Sequence, residues 1–377
     1  MANVPDGSVH PDTAEHDGGR AAALARIEAW RQRAPVFKDG TITMAHGAGG
    51  KASQALLEGV IVPALSAAGV DGVSQRFDDG AVLVPPTDHQ LVVSTDAFVV
   101  TPRRFPGGSI GDLAVNGTVN DLAVMGAVPQ ALTLSLVLEE GLAVDELRRI
   151  LSDVAAAAAA AGVMVVSGDT KVVERGAADG CFVTTTGIGF RPTSVRLGAE
   201  LVQAGDVVIC SGPIGDHGVA VMVARGDLAL AADITSDTRP LADLVAALLT
   251  TVPNVRWMRD ATRGGLASVL NELAGAAGCG VEVNEASVPV RRTVAGACEL
   301  LGLDPLYIAN EGTMAAVVPA DRADDAVAAL ASAPGGEEAV VIGRVVDDHQ
   351  GLVVARTAFG GTRILDMLVG DPLPRIC

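Results

Sequence analysis

Between Ser109 and Met125 the chain reads SIGDLAVNGTVNDLAVM, a helix-length run without a single Lys, Arg or Glu. Apolar residues cover every side of the helical wheel except one. On that side Asp112, Asn116 and Asn120 recur at every fourth position and so stack on one face. A helix apolar nearly all round must be buried. A merely solvated stripe would carry Glu and Lys, which favour helices more than Asn or Asp does. The segment therefore needs a protein able to surround it. Its polar stripe needs partners, because each buried polar group left unpaired costs about 1–3 kcal/mol. A bound ligand facing the stripe is the expectation; an internal hydrogen-bond network is the alternative.

The rest of the chain can supply that enclosure. Its 377 residues correspond to one large or two ordinary domains. Apolar residues make up 49% and charged residues 19%, enough for a sizeable core. From Ile42 onward, hydrophobic periods of two and of 3.6 alternate. Strands are expected at 81–84, 90–95, 129–138, 163–167, 181–190, 207–211, 281–284, 314–318, 340–345 and 352–355. Helices are expected at 21–33, 109–125, 144–161, 241–249, 266–277, 292–301 and 321–331. This pattern predicts an α+β protein of two domains joined near residues 192–200.

Charge and composition exclude whole classes of function. Lys and Arg total 27 against 45 Asp and Glu, a net charge of −18, so the surface repels nucleic acid and anionic lipid. Aromatics are 3%, too few for a platform that stacks bases. The longest apolar stretch, 154–166, has 13 residues, whereas a membrane span needs roughly 20. The N-terminus has neither the basic nor the apolar region of a signal peptide. Five cysteines form no CxxC pair and leave an odd count, which fits a reducing cytoplasm. Cys181 and Cys210 lie in strand-like runs and Cys298 in a helical one, where core packing is expected. Cys377 differs, being the last residue of Asp-Pro-Leu-Pro-Arg-Ile-Cys. Pro372 and Pro374 keep this end out of any helix and leave a short, stiff arm with a thiol at its tip.

Carboxylates recur at strand ends: Asp78 and Asp79 in FDDGAVLV, Asp96 in VVSTDAF, Asp169 in VVSGDTKVV, with Asp121 just after the polar stripe. Each alone fits a turn. As a set in so apolar a chain they suggest a hard cation such as magnesium, which uses one or two carboxylates plus waters and phosphates. Three glycine-rich segments precede helices: His46-Gly47-Ala48-Gly49-Gly50-Lys51, Pro106-Gly107-Gly108 and Thr262-Arg263-Gly264-Gly265. Such positions admit phosphate close to free backbone N–H groups. None fits GxxxxGK[ST] or GxGxxG. Aspartates and glycines together point to a nucleoside triphosphate held by magnesium and backbone amides.

These segments resemble the HypE family of hydrogenase maturation factors. The similarity runs from about residue 42 to 377 through HGAGG (46–50), STDAFVVTPRRFPGGSIGDLAVNGTVNDLAVMGAVP (94–129), SGDTKVVE (167–174), SGPIGDHG (211–218), MRDATRGGLA (258–267), ANEG (309–312) and the terminal PRIC (374–377). The last is the most specific, since the sibling families, aminoimidazole ribonucleotide synthetase, thiamine-monophosphate kinase and selenophosphate synthetase, lack it. Ala261 stands where proline is expected and Gly80 where alanine is; neither is a reacting position.

The resemblance implies a PurM-like fold: an extension over 1–41, an N-terminal ATP-binding domain over 42–193 that dimerises, a C-terminal α/β domain over 194–368, and a flexible tail over 369–377. It implies a reaction in which the carbamoyltransferase HypF loads a carbamoyl group onto Cys377. ATP then drives dehydration of this S-carboxamide to a thiocyanate, which passes to iron on a HypC–HypD scaffold. It also implies magnesium on Asp79, Asp96, Asp121 and Asp260, phosphates along Gly49, Gly50 and Asn120, and Asp169 in the nucleotide loop. Lys171 and Glu311 would take protons near the thiocarboxamide. For Lys171 the alternative is charge neutralisation, for Glu311 a structural acceptor, and for Arg263 a phosphate contact or a carboxylate pair. His46 and His217 would touch the tail or nucleotide, or be satisfied loop histidines. Two rival functions remain open at this level: another ATP-using enzyme of the superfamily, and a non-enzymatic cysteine carrier.

Overall fold

The computed structural model describes residues 37–48, 50–66, 81, 83–226, 233–357, 359–367 and 375–377. The helix expected at 21–33, Asp78, Asp79, Gly49, Pro372 and Pro374 lie outside them, as does most of the expected tail.

Two sheets organise these residues. The N-terminal sheet has four strands, β1 (His89–Phe98), β2 (Val128–Glu139), β3 (Met164–Val173) and β4 (Cys181–Pro192), in the order β1-β4-β2-β3. Only the β2–β3 pair is parallel. Its crossover is helix α2 (Val144–Ala161), and helix α1 (Ile110–Val124) lies against it. Ser109 caps α1 by accepting from the N–H groups of Gly111 and Asp112. As its composition requires, α1 is buried almost throughout. Gly111 allows α1 and α2 to approach closely: a Cβ there would lie 2.5 Å from the Ile150 carbonyl oxygen and 2.9 Å from Asp153 Cβ.

The C-terminal sheet comprises β5 (Val207–Cys210), β6 (Trp257–Asp260), β7 (Gly280–Asn284), β8 (Met314–Val318), β9 (Val340–Val346), β10 (Val353–Arg356) and β11 (Thr362–Leu365), in the order β11-β10-β7-β9-β5-β8-β6. Helices α3 (Asp216–Arg225), α4 (Ala242–Thr251), α5 (Gly265–Ala277), α6 (Arg292–Leu301) and α7 (Ala323–Ala331) accompany it. Separate apolar clusters form around Leu266 and Leu270 of α5 and around Leu244 and Leu248 of α4, while the N-terminal core extends into α3 and α6.

Helix α2 and strand β8 have the bounds that periodicity predicts. Departures have local causes. Helix α3 is missed because its apolar run, VAVMVA, reads as readily as a strand. Glycines at both ends, Gly215 at φ 89° and Gly226 at φ 78°, are what delimit it. Strand β3 runs on to Val173 rather than stopping at Ser167, because β2 continues to pair with it in parallel as far as Glu139–Val173. Ala81, Leu83 and Val84 are not in a strand. Strands β6 and β11, with four residues each, are too short to show a period.

Strand β1 is an edge and shows an exposed apolar side, with Leu91 61% and Val93 56% accessible. Among the described residues, no helix is long and apolar enough to cross a membrane.

Replacing Gly111 by alanine should destabilise the protein by about 1–3 kcal/mol, because neither the Ile150 carbonyl nor the α2 backbone can retreat. A lowered denaturant midpoint at unchanged slope would show it; an unaltered midpoint would mean that the two helices are less tightly apposed.

Candidate active site

Alternation along β1 turns Ser94 and Asp96 towards α1. There, a Cβ on Gly117 would come 2.9 Å from Phe98 Cζ and 3.4 Å from Asp96 Oδ2, so glycine at this position makes room for the Phe98 ring beside the carboxylate. Asp121 follows Gly117 by one helical turn and accepts a hydrogen bond from Ser94 Oγ at 2.5 Å. The C-terminal sheet contributes the opposite wall. Strand β6 ends at buried Asp260, the next turn carries Arg263, and the loop before β8 carries Glu311, which is 3% exposed. Asp96, Asp121, Asp260, Arg263, Glu311 and Cys377 all line one cavity of about 600 Å³.

Burial raises the proton affinity of all four acids, and neighbouring carboxylates add to it for Asp96, Asp260 and Glu311. Burial, then the Asp121 charge, lifts the Asp96 pKa. Burial lifts Asp121, opposed by the Ser94 bond and by Arg259 and Arg263. Asp260 is pushed up to about 7 by burial and then by Asp121. Glu311 is raised well above the usual carboxylate range by burial and by Asp237, Asp260 and Asp96. Arg263, itself exposed, supplies positive charge opposite Asp96, Asp121 and Glu311. Among the described residues, no three His, Cys, Asp or Glu side chains are grouped to enclose a metal ion. These oxygen donors fit a magnesium ion that shares one or two carboxylates and completes its shell with phosphate and water.

The polar stripe of α1 does not face this cavity. Asn116 Nδ2 donates to Thr238 Oγ1 at 3.2 Å. Asn120 Nδ2 donates to the Arg239 carbonyl at 3.0 Å and the Glu311 carbonyl at 3.2 Å, and its Oδ1 accepts from Leu241 N at 2.7 Å. An internal network, not a ligand, therefore satisfies Asn120, while the buried Oδ1 of Asn116 has no hydrogen-bond partner among the described residues. Asn120, expected along the phosphates, instead ties the segment 239–241 and the Glu311 loop to the N-terminal helix, because its amide is fully engaged there. Asp237 completes the arrangement and has no counterpart in the sequence reading. Half-buried, it accepts from the N–H groups of Glu311 and Gly312 at 3.0 Å each and from Thr313 Oγ1 at 3.2 Å. Its context, TSDTRP, signals only a turn.

Gly50, Asp169 and Lys171 line a second cavity, of about 830 Å³, together with His46 and Lys51. Lys171 Nζ pairs with Asp169 at 2.8 Å, both largely exposed, and its hydrogen bond holds the Asp169 pKa below the usual value. His46 accepts from Thr43 N at 3.0 Å through Nδ1 and meets Asp39 through Nε2 at 3.1 Å. The two cavities share no lining residue. Asp96 and Lys171 lie on opposite edge strands, β1 and β3, three strand spacings or about 14 Å apart. Lys171 and Glu311, expected beside the same thiol, are not brought together within one chain.

The end of the chain folds inward. Val99 N donates to the Cys377 carbonyl at 3.1 Å and Thr101 N to that of Arg375 at 3.2 Å. Ile376 is 4% exposed, and buried His217 meets its carbonyl through Nε2 at 2.8 Å. Of the two histidines singled out, His217 touches the tail, and among the described residues His46 meets Thr43, Asp39 and Phe37 instead. Burial pushes the Cys181 thiol up to about 12 and those of Cys210 and Cys298 to about 11, as expected of core cysteines.

Residues 77–190 match the N-terminal domain, and residues 203–355 the C-terminal domain, of AIR synthase related proteins. The chain is similar to carbamoyl dehydratase HypE of Rhodobacter capsulatus, 51% identical over 342 residues, 91% of this chain and 100% of that protein. It superposes on the crystal structure of hydrogenase maturation protein HypE in complex with ATP with a TM-score of 0.85, at 42% identity over 89% of this chain and 100% of the other. A HypE–HypF complex structure is similar at TM-score 0.72 and 41% identity, over 82% and 100% of the respective chains.

Asn120→Ala should leave Leu241 N–H and two buried carbonyls without their partner and cost about 1–3 kcal/mol of stability. Denaturant unfolding measures this. A variant as stable as the parent but impaired in nucleotide affinity would return Asn120 to the phosphates.

Proposed function

The chain belongs to the carbamoyl dehydratase HypE family of AIR synthase related proteins, and on that premise we propose that its cavity dehydrates a carbamoyl group carried on the Cys377 sulfur. Such an enzyme serves hydrogenase maturation. The observation that carries the residue assignment is the position of Cys377: the last side chain of the sequence lines the same cavity as Asp96, Asp121, Asp260, Arg263 and Glu311.

The chemistry accounts for the surroundings. An amide oxygen leaves poorly, so it attacks the γ-phosphorus of ATP and the terminal phosphoryl group moves to it with release of ADP. The nitrogen then gives up both its protons, the C–O bond breaks, and phosphate departs with the oxygen, leaving S–C≡N. Atoms balance as loss of one water from the carboxamide, its elements ending in phosphate and released protons. Glu311, whose environment raises its proton affinity, takes a proton from nitrogen. Asp96, Asp121 and Asp260 would hold magnesium, which when bound offsets triphosphate charge. Arg263 faces the developing phosphate. Asp79 belongs to the same proposed set but lies outside the described residues.

Triphosphate also calls for the glycine loop and lysines, which lie in the other cavity. We infer that two copies combine them: Gly50, Asp169 and Lys171 of one copy meet Cys377 and Glu311 of another. The exposed apolar side of edge strand β1 supports association of the N-terminal sheets. Gly49, outside the described residues, is assigned to the phosphates with Gly50. HypF would load the thiol and a HypC–HypD complex would receive the cyanide, so the tail must leave the cavity at both ends of the cycle.

With ATP, a carbamoyl donor and the loading partner, mass spectrometry should show Cys377 gaining a carbamoyl group and then losing water. Cys377→Ala should abolish both. Turnover of another acceptor with Cys377 unmodified would refute the reading. Lys171→Ala and Cys377→Ala should each be inactive alone, yet a re-equilibrated equal mixture should recover about a quarter of wild-type activity, since half the dimers are mixed and each has one intact site. No recovery would place Lys171 outside the site or make the site complete within one chain.

A further inference from the structure

The three terminal residues are held like a bound peptide. Val99 and Thr101 donate to Cys377 and Arg375, so alternate residues on the two segments pair in opposite directions, as neighbouring antiparallel strands do. Between these bonds Ile376 sinks into the N-terminal core, where Val219 and Ala220 of α3 belong to the same cluster. Helix α3 supplies two further contacts to the peptide backbone. His217 meets the Ile376 carbonyl through Nε2 at 2.8 Å, and Arg225 donates to the carbonyls of Thr101 and Arg375. Outside, the Arg375 guanidinium pairs with Asp179.

His217 is built for one purpose. Its Nδ1 meets Ser236 Oγ at 2.8 Å, and the hydroxyl completes the ring's contacts on that side. The edge of the ring system meets Phe105 at 85° and 5.4 Å between centroids. Fully buried, the imidazole stays neutral, its pKa lowered to about 4 by burial. With the proton on Nε2, it donates to Ile376 while Nδ1 accepts from Ser236.

We propose that Val99, Thr101, His217 and Arg225 form a receptor for the C-terminal tripeptide, with His217 and Arg225 as positioning residues that set the Cys377 sulfur in the acidic cavity, and that this receptor binds the same peptide when it is not attached to the chain. Recognition is by backbone pairing plus one buried isoleucine, neither of which requires a covalent link. The thiol's role as carrier rests on the proposed function; docking does not.

The test uses a chain ending at Pro374 and a fluorescein-labelled peptide Leu-Pro-Arg-Ile-Cys, with anisotropy as readout. The shortened chain should bind the peptide, and the intact chain should bind it at least about tenfold more weakly because its own tail occupies the receptor. Replacing the peptide's isoleucine by aspartate should weaken binding at least about tenfold, as a carboxylate cannot enter the apolar socket unpaired. On the protein, His217→Ala should lose about tenfold, and His217→Gln, which keeps an N–H donor, should recover most of it. Equal binding of native and aspartate peptides, or equal binding to intact and shortened chains, would overturn the proposal even if His217→Ala failed to fold. A carbamoylated peptide should then be dehydrated by the shortened chain with ATP, and His217→Ala should raise its KM about tenfold, with His217→Gln returning it towards the parent value. If the peptide binds but is never dehydrated, the receptor stands and the proposed function fails. If it does not bind while the intact chain turns over its own tail, the reverse holds.

Discussion

Four hydrogen bonds from two asparagines of a buried helix set the geometry of everything else. Asn116 and Asn120 bond to residues 238–241 and the carbonyl of Glu311, so the N-terminal helix is tied to the segment leading into α4 and to the loop before β8. In that locked arrangement Asp96 and Asp121 from one side face Asp260 and Glu311 from the other. Buried polar groups of this kind impose a specific arrangement because the alternative is an unpaired donor or acceptor in an apolar interior. Asp237 adds a second constraint by fixing the backbone on which Glu311 sits.

The electrostatic state of the cavity follows from that enforced proximity. Carboxylates so close and so desolvated hold protons more tightly than they would in water, most of all Asp260 and Glu311. Cation compensation suits the proposed binding of a polyanion with its counter-ion, and under that proposal Glu311 must shed its own proton before it can take one from an amide nitrogen. Arg263 at the exposed rim and Arg259 nearby temper the repulsion without neutralising it. The terminal sulfur enters from the remaining side, carried by a backbone that the 99–101 segment pairs with directly.

Composition and motif each carried part of this. A helix with apolar residues on nearly all faces had to be buried, and α1 is. The thiol at residue 377 stood out because it ends a proline-containing arm, whereas Cys181, Cys210 and Cys298 sit in strand-like or helical runs. The stripe's partners were misjudged, since Asn at every fourth position states that something polar is opposite but not whether it is a ligand or the protein's own main chain. Helix α3 was hidden by a run of β-branched and small residues that suits either a strand or a buried helix. His217 and Arg225, which lie on it, therefore had no legible direction.

Local chemistry, then, was written in the order of residues: which segments are buried, which carry carboxylates or glycines, and that the last residue carries a thiol. Such properties depend on neighbours a few positions apart, within reach of one helical turn or one strand alternation. Which of those groups meet was settled only by tertiary structure. Asp96 and Lys171 stand on opposite edges of one sheet, while Glu311 and Cys377 converge from distant parts of the chain. Strand order and the bonds of Asn120 decide such meetings, and both arise from contacts between residues far apart in sequence, on which local periodicity is silent.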